Sequence, residues 1–127
     1  MRQQFTLTIP MADVITSNRD ARTWKRTKTK NVMRALTRVA ARDRYPVGRA
    51  TIWIGITKRT GTLYDPQNLV DTFKGCVDEL VTMGLLDEDN HQHVAGPWLY
   101  HEAVDKNLPA GHMRALVTLT DYHPTPL

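Results

Sequence analysis

Phe5, Leu7 and Ile9 alternate with Thr6 and Thr8. A period of two with one apolar face predicts a half-buried β-strand, and Pro10 ends it. From Trp24 to Asp43 there is no Gly or Pro, and Val32, Leu36, Val39 and Ala40 recur at helical spacing. That predicts a helix of several turns with one apolar stripe, broken by Tyr45-Pro46-Val47-Gly48. Residues 50–57, ATIWIGIT, alternate again and are rich in β-branched and aromatic side chains, which predicts a second strand. A second helix is expected from Pro66 to about Met83, with Leu69, Phe73, Val77 and Leu80 as its buried stripe and Gly84 as its C-terminal glycine. A short strand is expected around His93 and Val94, a turn at Gly96-Pro97, and a loop over 98–111. Arg114 to Thr120 reads as a last strand, with Ala115, Val117 and Leu119 on one face and Leu116 on the other. Residues 121–127 are expected to fray. The sum is a single α+β domain over 1–127, a small mixed sheet packed with two main helices.

Length and composition agree with that picture. The chain has 127 residues, 41% of them hydrophobic, enough for one ordinary core and too few for two. No stretch reaches the eighteen or so apolar residues of a membrane span. The N-terminus alternates where a secretory signal would need a solid apolar run. One cysteine, Cys76, has no partner for a disulfide or a metal site, so the expected setting is reducing and cytoplasmic.

Charge changes the picture more. Residues 1–60 hold 14 Lys/Arg and 3 Asp/Glu, a balance of +11; residues 61–127 hold 3 and 10, a balance of −7. A basic half suggests a polyanion partner, and an acidic half with converging carboxylates suggests a bound cation. Either block is equally readable as a solvated face.

Four constellations could carry chemistry. Asp65-Pro66-Gln67-Asn68 opens the second helix, where Asp is a good N-cap and Pro is tolerated at the first position. Asp87-Glu88-Asp89 follows the same helix, where three adjacent acids need solvent or a cation. It is no EF-hand, since Gln92 stands where Gly is required, and His91 with His93 lacks a third zinc ligand. Asp71, Lys74 and Asp78 align on one helix side, as an exposed ion-paired face or as a lysine aimed at a phosphate. Arg19, Arg22, Lys25, Arg26, Lys28 and Lys30, then Arg34, Arg38 and Arg42, form a basic run; Lys30, Arg34, Arg38 and Arg42 make a slanting ridge expected opposite the apolar stripe. Trp24 within it could stack on a base or anchor the helix in the core.

Taken together these pieces resemble the RusA family, the Holliday junction resolvases of phages and prophages. The resemblance covers most of the chain. It rests on Ser17-Asn18-Arg19 and Trp24 after an opening strand, then Asp65-Pro66-Gln67-Asn68-Leu69, Phe73-Lys74, Asp78, Leu80, Gly84-Leu85-Leu86 and Asp87-Glu88-Asp89, with His93-Val94-Ala95-Gly96-Pro97 beyond. It implies a Mg²⁺-dependent endonuclease that hydrolyses phosphodiesters in a four-way DNA junction, working as a homodimer. Asp65, Asp89 and Lys74 would be catalytic, with Asp65, Asp89 and Gln67 at the metal. Arg19, Arg22, Lys25, Arg26, Lys30, Arg34 and Arg38 are the expected DNA contacts. Gln67 departs from the family pattern, which has a second Asp there. Its carbonyl oxygen is neutral, so metal affinity should fall, and Asp78 or Glu88 could supply the missing charge. The alternatives are a catalytically weak or inactive RusA-like protein that binds branched DNA, and a plain basic-helix regulator.

Asp65 and Asp89 flank one helix in sequence. To share an ion within one protomer, the segment after Gly84 must run back toward Asp65; otherwise a second subunit must supply Asp89.

Overall fold

A computed structural model describes residues 1–16 and 22–125. Strand β1 (Arg2–Pro10) leads through a short 3-10 turn, Met11–Asp13, toward helix α1 (Thr23–Ala40). Strand β2 (Ala50–Lys58) is followed by a 3-10 segment, Pro66–Phe73, which runs directly into helix α2 (Lys74–Thr82). Strands β3 (Val94–Val104) and β4 (His112–Thr120) complete the chain.

The four strands lie in the order β1-β4-β2-β3. Both pairings of β4 are antiparallel, whereas β2 and β3 are parallel, so the 3-10 segment and α2 form the crossover between them. The fold is α+β, a mixed sheet with two helices, as the two periodicities predict. Phe5, Leu7 and Ile9 on β1, Ile52, Ile54 and Ile56 on β2, and Ala115, Val117 and Leu119 on β4 all point into one core. Leu69, Phe73, Val77 and Leu80 close it from the helical side. Among the described residues no helix is long and apolar enough to cross a membrane.

Four expectations need correction. The predicted second helix is divided, 3-10 over its first eight residues and α only from Lys74.

The expected loop over 98–111 is strand as far as Val104, and Gly96-Pro97 does not turn the chain. Pairing jumps from Thr51↔Ala95 to Trp53↔Trp98, so an irregularity in the ladder takes up the proline. A proline is tolerated here because β3 is an edge strand.

Helix α1 is rotated from its predicted face: Met33, Thr29 and Thr37 are buried, Leu36 and Ala40 are partly so, and Val39 is 62% exposed. The two threonines fit because the helix packs on polar as well as apolar groups; the Thr29 hydroxyl donates to the Asp13 carbonyl at 2.8 Å.

The tail is held to residue 123. Asp121 pairs with the N-terminal ammonium, Arg49 stacks on Tyr122, and the His123 N–H donates to Thr51 Oγ1 at 2.8 Å. Residues 126 and 127 lie outside the described residues.

Candidate active site and nucleic-acid interface

Asp65 caps the 3-10 segment as its sequence suggests. Its Oδ1 accepts the Gln67 N–H at 3.0 Å, and Pro66 follows at the first position, where no N–H is needed. Gln67 is engaged elsewhere. Its Nε2 donates to the Pro97 carbonyl at 3.2 Å and its Oε1 accepts the Leu99 N–H at 3.0 Å. The side-chain amide therefore acts as a short stretch of neighbouring strand, satisfying the outer edge of β3. The one N–H on Gln67 Oε1 leaves that oxygen a single lone pair for any metal.

The three adjacent acids disperse to three partners. Asp87 turns toward Gly48, whose carbonyl accepts the Asp87 N–H at 2.9 Å. Glu88 accepts from the Asn90 amide at 2.7 Å. Asp89 reaches Lys74, with Oδ2 2.8 Å from Nζ. The segment after Gly84 thus does fold back, bringing Asp89 to the first residue of α2. Asp65 caps the other end of the 3-10 segment that precedes α2. Among the described residues no group of three or more His, Cys, Asp or Glu gathers to hold an ion.

What the fold brings together instead is Asp78, Asp89 and Lys74. Lys74 Nζ lies 3.4 Å from Asp78 Oδ1 as well as 2.8 Å from Asp89, and Lys30 Nζ holds the other Asp78 oxygen at 3.1 Å. The hydrogen bond to Asp89 raises the Lys74 pKa, burial offsets part of this, and the charges of Asp89 and Asp78 add to the rise. For Asp78, burial pushes the carboxyl up, but the bonds and charges of Lys30 and Lys74 outweigh it and leave the group below its ordinary value. An ammonium here occupies the place of a cation between two carboxylates. Magnesium needs only one or two carboxylates beside waters and substrate phosphates, so the donors of Asp78 and Asp89 fit it.

The basic run is also differently disposed from its sequence reading. Arg26 pairs with Asp71 at 3.4 Å, Lys28 with Asp13 at 3.5 Å and Lys30 with Asp78. Arg34 and Arg38 both bind Glu79, at 3.2 and 3.0 Å, and that carboxylate is almost fully buried between α1 and α2. Lys30, Arg34 and Arg38 of the ridge therefore lie toward the acids of α2, whereas Arg42 pairs with its neighbour Asp43. Lys25 donates to the Ala12 carbonyl, and Arg22 forms no ion pair among the described residues. Arg19, with Ser17 and Asn18, lies outside the described residues. Trp24 is 63% exposed and anchors nothing in the core. Cys76 is a core thiol; burial pushes it up to about 12, against a smaller lowering by Thr37, which leaves it without nucleophilic character at neutral pH.

Sequence reasoning passed over a second polar group at the end of β2. The Tyr64 hydroxyl lies 2.6 Å from His101 Nδ1, and Lys58 Nζ stands 4.2 Å from the centroid of the Tyr64 ring. The one signal for it was the pair Lys58-Arg59 just before Gly61, two cations in a loop with no acid within five residues on either side. No protein-family model matches the chain, and a search of curated proteins returns no match.

Proposed function

We propose that the chain is a RusA-like, magnesium-dependent endonuclease acting on branched DNA, with a four-way junction as its substrate. The observation that carries this reading is the convergence of Asp78 and Asp89 on Lys74. All three residues belong to the pattern by which the sequence resembles that family. Hydrolysis adds water across a P–O bond and leaves one phosphate end and one hydroxyl end. Asp78 and Asp89 would hold the metal, which supplies a bound water of lowered pKa and offsets charge on the phosphate. Lys74, released from one carboxylate, would donate its ammonium hydrogens to a non-bridging phosphate oxygen as negative charge develops there. Lys30 keeps Asp78 ionised and oriented. Arg22 and Lys25, free of carboxylates, would contact backbone phosphates, which position DNA without reading its sequence.

A junction has near-twofold symmetry, so paired cuts call for two sites and a C2 homodimer. A second reading is favoured by one observation. Gln67, at the position of a family Asp, is bound to β3, which leaves the site a ligand short and suits a protein that binds branched DNA without cutting it.

Purified protein incubated with a synthetic four-way junction, with and without Mg²⁺, separates the two on a denaturing gel. Paired, Mg²⁺-dependent nicks are expected, and Asp89→Asn should reduce them by about 100-fold or more while junction binding persists. Binding with no nicks at any Mg²⁺ concentration would leave the binding-only reading. The active species should have the solution mass of two chains.

A further inference from the structure

We infer that the loop end of the sheet, where Lys58, Arg59 and Lys106 meet, is a binding site for the phosphate backbone of DNA. The inference rests on the branched-DNA reading above and extends it to a surface outside the basic run of α1. Parallel strands β2 and β3 both end here, at Lys58 and Val104, and a hydrogen bond ties the two ends together: the Asp105 N–H donates to the Lys58 carbonyl at 2.8 Å. The Arg59 guanidinium donates to the Lys106 carbonyl at 3.5 Å, which brings the two basic loops side by side. Two open clefts flank Arg59 and Thr60. One continues along Lys58, Gly111 and His112, and the other along Gly61, Val104 and Lys106.

Charge separates this surface from α1. There, Arg26, Lys28, Lys30, Arg34 and Arg38 already have carboxylate partners within 4 Å. Among the described residues Lys58, Arg59 and Lys106 have none. Two carboxylates stand near the loop end, and both are engaged. Asp105 accepts the Asn107 N–H at 2.9 Å and pairs with Arg114 at 3.7 Å, while Glu102 accepts from the Thr57 hydroxyl at 3.4 Å. Lys58 is held against the face of Tyr64, and burial lowers its pKa. A partly desolvated ammonium without a counter-charge gains most from an incoming anion. The Thr60 and Thr62 hydroxyls, 3.3 Å apart, add the neutral donors typical of phosphate contacts. Three unpaired cations around two clefts match a run of phosphates better than a single small anion.

Fluorescence anisotropy of a labelled four-way junction and a linear duplex, titrated with the full chain at 50 to 200 mM salt, tests this. The variants are Lys58→Ala/Arg59→Ala/Lys106→Ala and the charge-keeping Lys58→Arg/Lys106→Arg, each checked against the unaltered chain by circular dichroism and thermal melting. The triple variant should bind more weakly, and its salt slope should fall by roughly 0.9 for every phosphate it no longer neutralises, which is about 3.5-fold in affinity for each such phosphate over that salt range. The charge-keeping variant should bind nearly as the unaltered chain does. If the unaltered chain binds neither DNA, the branched-DNA reading fails and this inference with it. If it binds DNA and the folded triple variant matches it in affinity and slope, only the inference fails. Displacement of DNA by low millimolar inorganic phosphate would also overturn it, since a small-anion site would then explain the surface.

Discussion

At the scale of single residues, Gln67 is the position where sequence pattern and local chemistry part most clearly. Asp65 and Pro66 do what their types predict, since a cap and a proline depend only on the backbone next to them. Gln67 depends on β3, thirty residues away in the chain. Its amide both donates and accepts, which a carboxylate cannot do. Gln67→Ala should cost about 1–2 kcal/mol in chemical denaturation, as two partly exposed hydrogen bonds disappear. Gln67→Asp restores the acid of the family pattern but is one methylene shorter and cannot donate to the Pro97 carbonyl. It should lower stability similarly and leave the Mg²⁺ concentration needed for cleavage unchanged. A lower Mg²⁺ requirement in a cleavage titration would mean that residue 67 belongs to the metal site after all.

At the scale of elements, the packing of α1 on α2 decides the chemistry on both. Gly75, the second residue of α2, lies against the backbone of Lys30; a Cβ there would overlap the Lys30 carbonyl oxygen. That close approach sets Asp78 within reach of Lys30, and Glu79 within reach of Arg34 and Arg38. Gly75→Ala would gain up to about 1 kcal/mol of helix propensity but must push two backbones apart, which costs more. A net loss of about 1–3 kcal/mol is expected from thermal or urea unfolding. The buried stripe of α2 was legible because its apolar residues are spaced for one face. The face of α1 was not. Its buried positions include Thr29 and Thr37, and its ridge of cations resembles a solvated surface until the acids of α2 are placed opposite it.

At the scale of the whole molecule, the basic and acidic halves of the sequence meet where α1 packs on α2: Arg26, Lys30, Arg34 and Arg38 pair with Asp71, Asp78 and Glu79. Lys30, Asp78, Lys74 and Asp89 join α1, α2 and the following loop in one chain of ion pairs. The titration of that chain has a definite sign. Asp78 lies below its ordinary carboxylate value in the folded protein, so its contribution is present above that ordinary value and is lost as pH falls through the lower, folded one. Lys74 is raised, so its contribution is present below the ordinary lysine value and is lost only as pH rises through the folded one. Melting temperature should hold across neutral pH and decline below about pH 4. Asp78→Asn should melt lower at neutral pH and show a smaller decline in acid. An identical acid decline in the variant would remove Asp78 from the stabilising network.

The α+β class, three of the four strands and the apolar stripe of α2 followed from the sequence alone. Period-two and period-3.6 patterns are imposed by the nearest core, and each can be read within a dozen residues. The Asp65 cap was legible for the same reason. Only the start of strand β3, at Val94, was legible; its length was hidden because an edge strand has one free side, tolerates Gly96-Pro97 and needs little alternation. The pairing of Asp89 and Asp78 with Lys74, the use of Gln67 as a clamp on β3 and the neutralised face of α1 were all decided by tertiary structure. Each joins side chains whose partners depend on how the crossover from β2 to β3 folds back on the sheet, and no local pattern records that path.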